Sequence, residues 1–149
     1  MLMTFKKILC PTDFSEASRL AIDVAADLAA RDQGELSLVH IVQVEPPLPS
    51  DPNFVMEVPE YERTLHTDAQ RQLDVLAACL KNVKVGTMIG HGDPGNEIVR
   101  IAQEEAADLI VMPTHGRTGL DHVVFGSVAE KVVRHAHRPV LTMPAPPAH

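Results

Sequence analysis

An alternating α/β fold built around a parallel sheet is the fold class that this sequence predicts. Three observations predict it. Short runs of apolar and β-branched residues alternate with stretches of helical period along the chain. One of the runs, Asp108–Met112 (DLIVM), is unbroken after its first residue, as befits a strand covered on both faces. The helical stretches carry their own start and stop signals, with Ser15 and Pro94 at beginnings and Gly34 at an end. Such alternation implies parallel strands whose connecting helices pack on both faces of the sheet.

Each element has its own justification. Phe5–Cys10 ends in a short apolar run that Pro11 stops, and reads as the first strand. Ser15 offers an N-cap, and Glu16 in the first turn suits the helix dipole. Ala17, Leu20, Ala21, Val24, Ala25, Leu28 and Ala29 then form one apolar helical face, closed by Gly34 as the C-cap. Leu36–Val44 is a second strand. Glu45–Pro59 carries five prolines and extends a loop over 43–59, long enough to suggest a lid or a partner surface. Tyr61–Leu80 returns to helical period through Leu65, Ala69, Leu73, Leu76 and Leu80. Val83–Ile89 is the third strand, and Pro94 opens a third helix with Ile98, Ile101 and Ala102 inward. After the Asp108–Met112 strand come a loop, Gly116–Phe125, and a helix, Gly126–Ala136, with Val128, Val132 and Val133 inward. Pro139–Met143 is the fifth strand and 144–149 a frayed tail. No repeat or second domain interrupts the series, so 1–149 reads as a single domain.

Composition narrows the function. Apolar residues make up 45% of the 149, enough for a core, and the formal charge is −7. An acidic domain is a poor binder of nucleic acid, although an anion can still be held locally by backbone N–H groups. No apolar stretch reaches the roughly 18 residues of a membrane span, and the N-terminus lacks a signal-peptide core. These features predict a cytoplasmic protein. Cys10 and Cys79 show no metal-binding spacing and are expected to be buried free thiols.

In open α/β sheets ligands bind beyond the carboxyl ends of the strands. Three segments fall there: Pro11-Thr12-Asp13, His40-Ile41-Val42, and Pro113–Ser127 (PTHGRTGLDHVVFGS). In the third, Gly116 and Gly119 permit tight turns, and Arg117 supplies a local positive charge. Gly126-Ser127 opens a helix whose unpaired N–H groups make an anion site, to which the Ser127 hydroxyl adds a donor. The plainer alternative is a loop shaped for packing, with Ser127 as an ordinary cap. Asp13 is either a turn residue bonding nearby backbone or a carboxylate facing ribose hydroxyls or a phosphate-bound metal. His40 and His115 converge at the strand ends, but without further ligands at metal-binding spacing no protein-held metal is expected. Ser127 lacks a nucleophile elbow, and no water-activating residue stands beside His115 and Asp121, so the sequence does not read as an enzyme beyond weak nucleotide hydrolysis.

Seven pieces stand in one order: KKILCPTDFSEAS at Lys6–Ser18, LVHIV at Leu38–Val42, GDPGNEIVRIA at Gly92–Ala102, ADLIVM at Ala107–Met112, HGRTG at His115–Gly119, GSVAEKVV at Gly126–Val133 and RPVL at Arg138–Leu141. Together they resemble the universal stress protein family over almost the whole chain. The resemblance implies a flavodoxin-like (adenine nucleotide alpha hydrolase-like) three-layer sandwich with a five-stranded parallel sheet in the order 3-2-1-4-5. It also implies a homodimer through Pro139–Met143. ATP-binding members carry Gly-x2-Gly-x9-Gly followed by Ser or Thr. Here the second and third positions are Gly116 and Gly126 with Ser127, while the first is Pro113. Proline has no N–H and a fixed φ, so this position departs from the pattern.

Carried over, Pro11, Thr12 and Asp13 line the adenosine side, and Ile41 meets adenine through its backbone. Met112 and Pro113 form a wall. Gly116, Gly126, Ser127 and Val128 hold phosphates, with His115 and Arg117 beside them. The implied ligand is ATP, with Mg²⁺ carried on its phosphates. The implied function is an ATP-binding regulatory module of the stress response, acting on an unidentified protein partner. The alternatives are a dimeric adaptor of the same fold that binds no nucleotide, and a very slow ATPase.

Overall fold

The computed structural model describes residues 2–43, 58–115 and 125–144. Its elements are β1 (Lys7–Pro11), α1 (Glu16–Arg31), β2 (Glu35–Val42), α2 (Val58–Cys79), β3 (Lys84–His91), α3 (Pro94–Glu104), β4 (Leu109–Pro113), α4 (Ser127–His135) and β5 (Val140–Met143). All five strands join one sheet in the order β3-β2-β1-β4-β5, and each neighbouring pair is parallel. This is the flavodoxin-like arrangement that the sequence predicts.

The period-2 alternation of the strands sorts the core into two layers. Ile8, Cys10, Leu36, Leu38, Leu109 and Val111 belong to one, with Ala21, Ile22, Ala25 and Leu73 of α1 and α2. Leu9, Val39, Ile41, Ile110 and Met112 belong to the other, with Ile98, Ile101, Ala102 and Val132 of α3 and α4. Every residue of β4 is buried, which is why its sequence is almost continuously apolar.

Several sequence expectations are corrected. Leu20 is 40% exposed, and Ile22 takes its place in the core. Val133 is 49% exposed, because α4 buries the narrow stripe Ala129–Val132–Ala136 instead. α2 begins at Val58, so Pro59 lies in a helix and not in a loop; a proline in the first turn removes no helical hydrogen bond. The remainder of the predicted loop, 44–57, and the tail residues 145–149 lie outside the described residues. Gly34 is not the positive-φ cap of α1. The C-cap is Asp32, and Gln33 adopts φ 53°. Gly34 is required by proximity: a Cβ there would lie 2.7 Å from the carbonyl oxygens of both Phe5 and Lys6.

The two cysteines differ, against expectation. Cys10 is fully buried, and that burial pushes its thiol far above the ordinary range, whereas Cys79 is exposed on α2. Because the thiolate is the reactive form, an alkylating reagent is expected to label Cys79 rapidly and Cys10 only on unfolding. Peptide mass spectrometry of the labelled native protein checks this, and Cys79→Ser removes the rapid phase.

One seam of the sheet is incomplete. β1 pairs with β2 as far as Pro11↔Val39, and β4 pairs with β5 as far as Pro113↔Met143. Between them, β1 and β4 share only Ile8↔Leu109 and Leu9↔Ile110. The register explains the stop. Thr12 N–H donates to Val39 O at 2.8 Å, and Ile110 and Thr114 N–H donate to Pro139 O and Met143 O at 3.0 and 2.8 Å. Even-numbered residues of both strands therefore face outward, and odd-numbered residues face the seam. The next two rungs would start from the N–H groups of residues 11 and 113, and both residues are prolines. The sheet consequently opens between β1 and β4, at the point where its strand order reverses.

Two side chains close the other end. Asp108 Oδ2 accepts from the N–H groups of Lys6 and Lys7, each at 2.9 Å. The Arg138 guanidinium donates to the carbonyls of Ala102 and Ala107, at 2.8 and 2.6 Å. Among the described residues no helix is long and apolar enough to cross a membrane.

Candidate functional site

A cleft of about 680 Å³ opens at the carboxyl ends of β1, β2 and β4. One wall is the turn from β1 into α1. Thr12 is buried there; its hydroxyl accepts from Phe14 N–H at 3.0 Å and shares a bond of 2.9 Å with the hydroxyl of buried Ser18. Asp13 Oδ1 accepts from Ser15 N–H at 3.0 Å, and Ser15 Oγ in turn caps α1 by accepting from Ser18 N–H at 3.2 Å. Phe14 takes φ 66°, a left-handed conformation that these bonds hold in place. Asp13 thus makes the turn bond that the plainer reading expects, and it also lines the cleft.

His40 ties β2 to this turn. Its Nδ1 lies 2.8 Å from Thr12 O, and its ring is tilted against Phe14 with centroids 4.5 Å apart. A carbonyl only accepts, so Nδ1 carries the proton.

A second wall is apolar: Val39 and Ile41 from β2, Pro94 and Ile98 from α3, and Met112 from β4. A third is the start of α4. Ser15 caps α1 through its side chain, and Asp93 caps α3 by accepting from Asn96 N–H at 2.9 Å. That backbone bond, with Lys131 at 3.0 Å, holds the Asp93 carboxyl below the usual carboxylate range. α4 starts differently, since its N-cap is Gly126, which offers no side chain. Gly126 N–H is engaged by Thr114 O at 2.7 Å, and the first-turn N–H groups that follow have no acceptor within the helix. A Cβ on Gly126 would sit 3.0 Å from Thr114 O, so a larger residue would press the carbonyl back and glycine suits this close approach. His115, at the end of the same strand connection, bonds Thr114 Oγ1 through Nδ1 at 3.1 Å and buries an Nε2 that has no hydrogen-bond partner among the described residues.

Pro11, Thr12, Asp13, Ile41, Met112, Pro113, His115, Gly126, Ser127 and Val128 all line this one cleft. Gly116 and Arg117, together with Gly119 and Asp121, lie outside the described residues. Pro94, Ile98, Gln43 and Phe125 also line the cleft and were not singled out as site residues. Pro94 and Ile98 reach it because β3 pairs with β2, so the following helix crosses the end of β2. The Pro–helix start at 94 is visible in the sequence, but no residue pattern there marks it as part of the cleft.

The profile of the Universal stress protein family matches residues 4–144. Universal stress protein MJ0531 of Methanocaldococcus jannaschii is 37% identical over 146 residues, which cover 95% of this chain and 84% of that protein. Universal stress protein YxiE of Bacillus subtilis is 32% identical, covering 92% and 97%. The solved structure of the hypothetical protein MJ0577 aligns with a TM-score of 0.84 at 32% identity, covering 98% of this chain and all (100%) of that one. More distant neighbours share the fold with a TM-score of 0.65; they include a universal stress protein in complex with cAMP, 22% identical, and one from Archaeoglobus fulgidus in complex with dAMP, 21% identical.

Proposed function

This chain belongs to the universal stress protein family, and from that premise we propose that its cleft binds an adenine nucleotide, ATP, as a regulatory ligand of the stress response. The observation that carries the reading is the start of α4. It is a helix N-terminus without a side-chain cap, set against a cleft whose facing wall is apolar. First-turn N–H groups that have no acceptor inside the helix, together with the helix dipole, suit phosphate oxygens. The apolar wall of Val39, Ile41, Pro94, Ile98 and Met112 suits a purine. Asp13 stands beside the cleft, where it suits a Mg²⁺ carried on the phosphates. The fold accommodates adenine nucleotides in the two distant relatives solved with cAMP and dAMP.

The nucleotide acts as a signal and is not consumed: its binding orders the cleft and alters affinity for a protein partner. The working form is a cytoplasmic homodimer. β5 is an edge strand of four residues with Leu141 exposed, and a second copy pairing there would cover that edge.

Calorimetric titration with Mg·ATP tests the reading. Saturable heat and a rise in melting temperature are expected, with ADP release no faster than in a protein-free control. Neither heat nor thermal shift at about 1 mM Mg·ATP would remove the nucleotide and leave a dimeric adaptor of the same fold.

A further inference from the structure

The seam between β1 and β4 forms the floor of the cleft, and the two residues that end its pairing are both prolines lining that cleft. We propose that Pro113 is a positioning residue that works with Pro11: the pair stops the two central strands from zipping together, so the cleft stands open before any ligand arrives. The ligand in this inference rests on the nucleotide reading above; the mechanism rests on the strand register alone.

A proline inside a central strand ordinarily costs a ladder bond. Here neither outer ladder loses one, because residues 11 and 113 both turn their nitrogens toward the seam. The strands themselves have not ended. Pro11 still pairs with Val39, and Pro113 still pairs with Met143. Only the inner rungs are missing, and both would have used the nitrogens that proline blocks.

Both residues are buried, so a new N–H at either position would be driven to find an acceptor. An N–H at 113 would face the Pro11 carbonyl, whose recorded contact is the weak Cys10 thiol donor at 4.0 Å. An N–H at 11 would face the Val111 carbonyl. Either rung would draw β4 toward β1, and an entering ligand would have to break it. A floor already open avoids that cost, which is the general advantage of preorganisation.

The test uses Pro113→Ala and, independently, Pro11→Ala. In ¹⁵N-labelled protein the new amide is expected to be protected from hydrogen exchange. Its protection should fall when Mg·ATP is added, a coupling that a merely structural proline would not produce. The dissociation constant for Mg·ATP should rise about fivefold to tenfold, the typical worth of one hydrogen bond. New amides that exchange at the solvent rate, with affinity within about twofold of wild type, would overturn the proposal. A wild-type protein that binds no Mg·ATP would overturn the nucleotide reading instead, and the seam would then stand or fall on amide protection. If one variant fails to fold, the other supplies a separate rung and the same readout.

Discussion

Gly126→Val is expected to weaken Mg·ATP binding by roughly 30- to 100-fold, the loss of one or two hydrogen bonds to a charged group. The position does not need glycine for its backbone angles: φ is −73° and ψ is 164°, which valine adopts readily. The conflict is local. A single Cβ already stands 3.0 Å from the Thr114 carbonyl that accepts the Gly126 N–H. A branched side chain pushes the start of α4 away from the end of β4, and the first-turn N–H groups move off the phosphates. The melting temperature should fall far less than the affinity, because α4 remains anchored through Ala129, Val132 and Ala136. Titration and thermal melting of the same preparation separate the two effects. Unchanged affinity in both Gly126→Val and Asp13→Ala would mean that the nucleotide binds elsewhere.

Gly34→Ala is expected to cost about 3 kcal/mol of stability, the upper part of the usual range for overpacking. Its Cβ would meet two backbone oxygens at 2.7 Å and the Lys6 Cα at 2.9 Å, and backbone cannot swing aside as a side chain can. The chain is also tethered on both sides of the contact. Gly34 N–H donates to Ala29 O and Glu35 N–H donates to Lys6 O, each at 2.8 Å. The natural control is Gly86→Ala in β3, where an added Cβ meets nothing within 4 Å. That variant should lie within about 0.5 kcal/mol of wild type. Urea unfolding of both distinguishes them, and equal midpoints would refute the steric account of Gly34.

The contrast between these glycines shows what the sequence could reveal. Its strands and helices were legible because burial on two faces leaves a period that composition alone displays; Asp108–Met112 is the clearest case. What failed was assignment within a pattern. Leu20 and Val133 are apolar at plausible helical spacing, yet each faces solvent, because which stripe is buried depends on where the helix crosses the sheet. Gly34 was given a local role when its reason is the backbone just before β1, 28 residues earlier, as the contact with Lys6 shows. At the site, the rule about strand ends brought the right segments forward. His40 was legible as a residue near the cleft, and the implied strand order puts β2 beside β1, but its bond to Thr12 follows only from the side-chain geometry. Pro113 was legible as a departure from the family pattern; only the register shows that its missing donor points into an unpaired seam.

The Arg138 fork bears on the order in which this chain can be completed. It joins the carbonyls of Ala102 and Ala107, which flank the reversal where Ala106 takes φ 51°, to a side chain 36 and 31 residues further on. As the chain emerges from the ribosome, that reversal is made long before the side chain that satisfies it. Until residue 138 arrives, the Ala107 carbonyl lacks its guanidinium donor, and the Ala102 carbonyl keeps only the Ala107 N–H at 2.9 Å. The segment leading into β5 therefore does more than start a strand: Arg138 is a latch, and a nascent or truncated chain ending before it leaves a turn in the middle of the protein without that donor.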